Sequence, residues 1–463
     1  MALIKSISGI RGTIGGKPTN SLSPLDVVKF TAAYAEWLKQ QNQDKKNRYS
    51  VVVGRDGRIS GPYIQQLVIS TLVASGIDVI NLDLSTTPTV EMAVGFNNAD
   101  GGIIITASHN GAEWNALKLL NGQGEFLSAA DGESLLALAD SEAFGFVAVD
   151  KLGTVTNDNF AMEKHIETIV QLPMVDVEAI KKKKFKVVVD CINSTGAIAV
   201  PALLKALGVK DIILLNEEVN GKFAHNPEPL PQHLNGICNE VKKLHADIGI
   251  AVDPDVDRLC FICEDGSLFG EEYTLVAVAD YVLQQTKGNT VSNLSSTRAL
   301  KDVTVKHGGE YFPSAVGEVN VVTKMKEVNA VIGGEGNGGV ILPQLHYGRD
   351  ALAGIALFLT YLAKNNKSVL QLRKTYPDYF ISKNKIELSN GVNTKSIFEQ
   401  LQRKYKNHPV NTEDGLKIEF DKDWVHLRTS NTEPIIRIYA ESNFETTADN
   451  IARRLMADIK EYM

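Results

Sequence analysis

The stretch Gly101 to Lys118, GGIIITASHNGAEWNALK, decides how the chain is read. Three isoleucines, Ile103 to Ile105, follow a glycine pair and give way at once to Thr106-Ala107-Ser108-His109-Asn110, which is small and polar. Such an apolar run is expected of a strand buried on both faces. In open α/β folds the loop at the carboxyl end of such a strand is where ligands bind. Ser108 then stands on a rigid base beside His109, with Asn115 and Lys118 following within reach. The same residues would also serve an ordinary turn whose Ser and Asn bond to nearby backbone. Distant stretches of the chain have to decide between the two.

Upstream, Ser8-Gly9-Ile10-Arg11-Gly12 is expected to be a glycine-flanked arginine loop, open enough for a guanidinium and backbone N–H groups to approach an anion. A helix follows, with Ser23 as N-cap, Pro24 at its first position and Asp26 completing a capping box. Its core face is Val27, Phe30, Tyr34 and Trp37. Val51 to Asp56 is a β-branched strand ending in charge, and the pattern predicts a helix over 62–75, a strand over 79–84, a short helix near Thr89 and a strand over 102–106. That order is a layered α/β domain over 1–150 with the 101–118 loop at its edge.

Downstream, a second α/β run covers 151–256. It has helices near 158–171 and 195–207, and strands at Lys186–Asp190, 211–215 and Asp247–Val252. The lysine run 181–184 suits a solvated helix end. A third α/β run occupies 257–367, with helices at 271–285, near 297–306, 317–327 and 350–364, and strands at 290–294 and 329–333. Val51-Val-Val-Gly-Arg-Asp56 and Val187-Val-Val-Asp-Cys191 hint at a duplicated unit. From 368 to 463 the texture becomes that of a small α+β domain. Its strands are expected at 386–388, 415–420, 424–427 and 435–439, and its helices at 394–405 and 445–462.

A chain of 463 residues exceeds one core and suits three or four domains. With 44% hydrophobic and 22% charged residues and a net charge of −7, nothing in it points to nucleic acid or an anionic membrane. Cys191, Cys238, Cys260 and Cys263 are too few and scattered for a disulfide framework. The Cys260–Cys263 pair lies in an apolar run with no second pair to complete a zinc set, so buried, inert thiols are expected. The opening residues do not make a signal peptide, and no apolar run approaches the ~18 residues of a membrane span. A cytoplasmic protein is expected.

Three further motifs carry chemistry. Asp253-Pro254-Asp255-Val256-Asp257-Arg258 sets three carboxylates just past a buried strand, where like charges need a cation. Mg²⁺ suits a few carboxylates plus phosphate oxygens. An EF-hand counted from Asp253 fails, because its sixth position must be glycine and is Arg258. Arg258 offers a fixed charge to a phosphate. In Gly333-Gly-Glu335-Gly-Asn337-Gly-Gly339 a carboxylate and an amide stand out of mobile backbone, a set that suits sugar hydroxyls. Its match to G-x-G-x-x-G opens no helix and has no acidic residue about 20 positions on, which argues against a dinucleotide. Arg428-Thr429-Ser430-Asn431-Thr432, with Arg437 on the next strand, makes a nest for a phosphate dianion.

These segments together closely resemble the α-D-phosphohexomutase superfamily, whose motifs stand here as TASHN at 106–110, DPDVDR at 253–258, GEGN at 334–337 and RTSNT at 428–432, with SGIRG at 8–12. The resemblance spans the whole chain. It implies three related α/β layered domains plus a C-terminal α+β, TATA-binding-protein-like domain around a central cleft. It also implies that Ser108 is a phosphoserine, passing its phosphoryl group to a sugar phosphate through a hexose 1,6-bisphosphate. Asp253, Asp255, Asp257 and Ser108 would hold Mg²⁺, and Lys118, with Arg11 and His109, would transfer protons. Arg258, Glu335, Asn337, Gly317 and Glu318 would meet the sugar phosphate, while Arg428, Ser430, Asn431, Thr432 and Arg437 would hold the phosphate that is not transferred. The branch it most resembles is phosphoglucosamine mutase, with phosphomannomutase/phosphoglucomutase as the alternative. Departures are Gly111 where many relatives carry proline, Pro254 where many carry glycine, Asn337 where many carry serine, and Asn431 where many bacterial phosphoglucosamine mutases carry glycine. A Mg-dependent sugar phosphatase would share the serine and the metal but gain nothing from a second phosphate nest. A non-catalytic sensor would be expected to have lost the Ser or an Asp.

Overall fold

The structure, a computed structural model, describes residues 3–6, 9–18, 20–41, 48–389, 392–430 and 435–463. Buried β-branched runs form the inner strands of three mixed sheets. In the first, Tyr49–Arg55 lies between Ile77–Leu84 and Gly101–Ile105, parallel to both, and Trp114–Leu120 closes the set antiparallel to Gly101–Ile105. Lys186–Asp190, Asp211–Leu215, Ile248–Val252 and Leu259–Ile262 repeat that order and those directions in the second sheet. Asn289–Asn293, Tyr311–Ser314, Ala330–Glu335 and Gly339–Ile341 repeat them again in the third. The duplication hinted at by the sequence is therefore a threefold recurrence of one topology.

Several expectations are corrected. Gly9–Thr13 is not a loop: it is a strand, antiparallel to both Leu3–Ser6 and Trp114–Leu120. Ser8 lies outside the described residues. Asn115 and Lys118 sit on a strand rather than in the loop after Ile105. Alternation had been masked there, because six of its seven residues are buried. The first sheet takes in Val155–Asn157, past residue 150, and the second takes in Leu259–Ile262, past residue 256. The segment near Thr89 is a ten-residue helix, Thr87–Phe96, whose N-cap Thr86 accepts from the Thr89 amide. Ser23 and Asp26 form the expected cap of the helix Pro24–Gln41.

The helices Gly196–Ala206, Glu271–Gln285 and Ala351–Asn365 bury their apolar faces in one continuous core shared by the second and third sheets. The first sheet has its own core, and so does the last unit. That last unit is a five-stranded antiparallel sheet, ordered Phe380–Glu387, Ile435–Ser442, Trp424–Thr429, Leu416–Glu419 and Val410–Asn411, with helices Thr394–Lys404 and Glu445–Glu461. Cys191, Cys260 and Cys263 are buried free thiols, and Cys238 is partly buried. No helix among the described residues is long and apolar enough to cross a membrane.

Candidate active site

The turn between the third strand and its antiparallel partner carries a chemical motif in each of the three sheets. Ser108 lies in the first, Asp253 to Arg258 in the second, and Gly336 to Gly338 in the third. Ser108 adopts a left-handed backbone, φ +49, and Val256 does the same at φ +60. For a β-branched residue this is a strained conformation, of the kind held only where surrounding structure enforces it.

Arg58 enforces it in the first loop. Its buried guanidinium donates to the carbonyls of Ser108, Asn110, Gly111 and Trp114, and its Nε pairs with Asp56 at 2.9 Å. Asp56 also accepts from Thr106 Oγ1 at 2.7 Å, and Thr106 in turn accepts from the Ser108 amide. Val256 turns the second loop so that the amides of Asp257 and Arg258 both donate to Asp253 Oδ1, at 3.1 and 2.9 Å. Ser194 and Thr195 hold the Pro254 carbonyl, and Ser194 also accepts from the Gly57 amide, which ties the two loops together.

The loops meet at Ser108, whose hydroxyl donates to Asp253 Oδ2 at 2.7 Å. His109 Nδ1 lies 3.4 Å from the same hydroxyl, and Arg11 reaches Asn110 at 2.6 Å. Lys118 donates to Asp255 at 2.7 Å and to Asp257 at 3.2 Å, while Thr87 donates to Asp255 at 2.6 Å. Arg349 links this centre to the third loop, reaching Asp257 at 2.7 Å, Glu318 at 2.8 Å and Glu335 at 2.9 Å. Glu335 also accepts from Asn293, from the Gly317 amide and from Asn337. Gly338 is needed in that loop: its φ is +88, and a Cβ there would strike the Leu259 carbonyl. Arg258 pairs with Glu228 at 2.8 Å.

Burial and repulsion from Asp257 and Asp255 push the Asp253 carboxyl well above the usual range. Burial acts the same way on Asp255, but Lys118 and Thr87 outweigh it and hold that carboxylate low. Burial opposes the Lys118 charge too, yet Asp255 and Asp257 raise its pKa above the ordinary value. His109 is pushed well below its usual range by burial and by Arg258 and Arg11. Burial and Arg258 lower Arg11 to about 10.

One carboxylate oxygen from each of Asp253, Asp255 and Asp257 lies within 4.8 Å of the others. Oδ1 of Asp255 and Oδ1 of Asp257 are buried without a hydrogen-bond partner. Three buried carboxylates, two of them with an unpaired oxygen, fit a hard divalent cation such as Mg²⁺.

The fourth unit supplies a separate cationic patch. Arg428 and Arg437 are directly opposed on neighbouring strands and so share one face of the sheet. Ser430 follows, its amide bonded to the Ile435 carbonyl. Asn431 and Thr432 lie outside the described residues. Asp414, 3.8 Å from Arg428, accepts from the Val316 amide, which connects this patch to the 316–318 loop. Glu318 is engaged by Arg349 rather than open to the cleft.

The sequence reading missed Arg58, Asp56, Thr87, Asn293, Glu228 and Arg349. The one signal available for three of them was charge at the rims of apolar elements: Asp56-Gly-Arg58 just after a buried strand, and Arg349-Asp350 just before a buried helix.

Residues 3–145, 163–266, 270–379 and 385–458 match, in that order, the phosphoglucomutase/phosphomannomutase alpha/beta/alpha domains I, II and III and the C-terminal domain of the same family. The chain is 37% identical to a phosphoglucomutase/phosphomannomutase of Thermococcus kodakarensis, over 94% of this chain and 95% of that one. It is 30% identical to a probable phosphoglucosamine mutase of Methanopyrus kandleri, over 98% of each. A crystal structure of a phosphoglucomutase/phosphomannomutase family protein from Burkholderia thailandensis superposes with a TM-score of 0.85 at 25% identity, over 99% of this chain and 97% of that one. The same four domains, in the same order and along nearly the whole length, place the chain in the phosphoglucomutase/phosphomannomutase family of the α-D-phosphohexomutase superfamily, a family of isomerases.

Proposed function

We propose that the protein interconverts a hexose 6-phosphate and the matching hexose 1-phosphate through a phosphoserine at Ser108. The observation that carries this reading is the meeting of Ser108 with Asp253 at 2.7 Å; it is supported by Glu335, linked to that centre through Arg349, and by the separate arginine pair on the fourth unit. A hydrolase needs no second phosphate site. A mutase does, because its bisphosphate must be held by either end.

In the first half-reaction the sugar hydroxyl gives up its proton, its oxygen bonds to phosphorus, and the bond from phosphorus to Ser108 Oγ breaks. The resulting hexose 1,6-bisphosphate turns around. Its other phosphoryl group returns to Ser108 and a proton returns to the freed sugar oxygen. The transition state is loose, so the protein's contribution is placement and charge. Asp253, Asp255 and Asp257, with an oxygen carried on Ser108, would hold Mg²⁺, which offsets phosphate charge when bound. Arg58 keeps the Ser108 loop rigid. Lys118, His109 and Arg11 surround the serine as the proton-transferring and charge-stabilising groups. Glu335 accepts from sugar hydroxyls while Asn337 and Gly317 face the same substrate, Glu318 acts through Arg349, and Arg258 adds a cation. Arg428, Ser430, Asn431, Thr432 and Arg437 bind the phosphate that stays in place. The substrate is a small cytoplasmic sugar phosphate.

Glucosamine 6-phosphate and glucosamine 1-phosphate are the preferred pair in this reading, supported by the GEGN and SGIRG motifs and by the likeness to a probable phosphoglucosamine mutase. Phosphoglucomutase/phosphomannomutase activity is the second reading, favoured by the 37% identical relative of that name. A coupled assay with glucosamine, glucose, mannose and N-acetylglucosamine phosphates tests both. The highest kcat/KM should fall on the amino sugar, and a higher value on glucose or mannose phosphate overturns the first reading in favour of the second. No mutase turnover of any of them overturns both.

A further inference from the structure

Outside the cleft, three domains bring a second set of ligating groups together. His165 comes from the helix Ala161–Val170, Glu91 from the helix Thr87–Phe96, and His346 and Asp350 from the segment before the helix Ala351–Asn365. His165 Nε2 is 2.9 Å and His346 Nε2 is 3.3 Å from the same oxygen, Asp350 Oδ2. One ligand atom from each of the three residues lies within 4.8 Å of the others, and the two imidazole rings stand at 89°. The other Asp350 oxygen is spent on the amides of Leu352 and Ala353, which fixes the carboxylate. His165 and Asp350 are fully buried, and His346 is nearly so.

The environment of Glu91 is an independent sign. It is 3% exposed, and neither carboxylate oxygen has a hydrogen-bond partner. Oε2 nevertheless lies 3.3 Å from His346 Nδ1, without the alignment of a hydrogen bond. The carboxylate is pressed so close to the chain that a Cβ at Gly348 would strike it. A buried carboxylate that makes no hydrogen bond and faces only an imidazole suits the outer partner of a metal-bound histidine.

We propose that His165, His346 and Asp350 form a zinc-class metal site that pins the first three domains together. Imidazole nitrogens with one carboxylate oxygen select such an ion over Mg²⁺. Tetrahedral bonds of about 2.0–2.1 Å place ligand atoms roughly 3.3 Å apart. The His346–Asp350 pair already has that spacing, and the His165–Asp350 pair needs to open by a few tenths of an ångström. The outer partners match as well. Glu91 faces Nδ1 of His346, and the Thr89 hydroxyl lies 3.0 Å from Nδ1 of His165, which is how ligating histidines are oriented. One dication balances the carboxylates of Glu91 and Asp350 with both histidines neutral. The site lies next to the cleft without entering it: Thr87, at the start of the Glu91 helix, holds Asp255, and Arg349 beside Asp350 holds Asp257.

Dialysis of the intact protein against Zn²⁺ in excess Mg²⁺, followed by elemental analysis, should leave one zinc per chain. Zinc should raise the unfolding temperature, and Co²⁺ in its place should give the intense visible bands of a four-coordinate nitrogen–oxygen site. His346→Ala and His165→Ala should abolish the retained zinc. Glu91→Gln should weaken its affinity roughly 10–100-fold. If the histidine variants do not fold, the cobalt spectrum of the wild-type protein decides. Weak six-coordinate bands place the ion at the aspartate triad and overturn the proposal. So does the absence of retained zinc, or zinc retained equally by a folded His346→Ala.

Discussion

The Ser108 hydroxyl donates to Asp253 across 2.7 Å, although 145 positions separate the two residues. Each stands in the turn after the third strand of its own copy of the recurring four-strand unit, so the contact is made between two copies of one topology. Glu335 ends the equivalent strand of the third copy and is joined to the pair through Arg349 and Asp257.

Ser108→Ala should abolish nearly all turnover while leaving the fold and sugar-phosphate binding intact, since the side chain removed is one oxygen. Intact-mass measurement should find one phosphate on the wild-type protein and none on the variant. Full activity in the variant would sink the phosphoserine mechanism.

Asp255→Asn removes an anionic oxygen from the triad and one of the two carboxylates that hold Lys118. Activity should then require more Mg²⁺, and Ca²⁺ should occupy the site while supporting turnover poorly. Titrations of activity against each ion check this, and undiminished turnover of the wild type in excess chelator would exclude a metal role.

Arg58→Ala strands four loop carbonyls and the Asp56 carboxylate in a buried space. Breaking a buried charge pair in this way costs about 3–5 kcal/mol, measurable by denaturant unfolding. Arg58→Lys should restore little, because an ammonium cannot reach the same set of acceptors as a planar guanidinium. A stability within error of wild type in both variants would mean that Arg58 is not what holds the Ser108 loop.

Arg428→Ala removes a charged donor from the anchoring phosphate patch. The expected loss in kcat/KM corresponds to about 2–3 kcal/mol, as for a hydrogen bond to a charged group. Unaltered efficiency with the preferred sugar phosphate would favour a phosphatase instead.

His426 joins the third and fourth domains, bonding to Ser295 through Nδ1 and to the Asp414 carbonyl through Nε2. Burial, aided by Lys417 and Arg428, lowers its pKa to about 4. The unfolded chain therefore binds the proton first as pH falls. The contribution of the neutral ring is complete above the unfolded value of about 6.5 and is lost on acidification towards pH 4, to a total of roughly 3 kcal/mol. Unfolding curves across that window should be steeper in pH for wild type than for His426→Gln. Parallel curves would show that His426 does not titrate with folding.

Elements with a strong local signal were legible in the sequence. Lys186–Asp190 and Asp211–Leu215 form where the β-branched runs put them, and the cap at Ser23 and Asp26 forms as read, because burial pattern and capping depend on neighbours in the chain. The carboxylate spacing in Asp253 to Asp257 is likewise a local property. The strand Trp114–Leu120 was not legible, since a chain buried on both faces loses its alternation, and Gly9–Thr13 looked like a loop because its glycines hide a pairing made with distant residues. Tertiary structure alone decided that Arg58 would clamp the Ser108 loop and Arg349 would bridge Asp257 to Glu335. It also decided that two histidines 181 residues apart would face Asp350, as His165 and His346 do. Side-chain pairing of this kind is set by which sheet edges abut, and the spacing of residues along a chain carries no record of that.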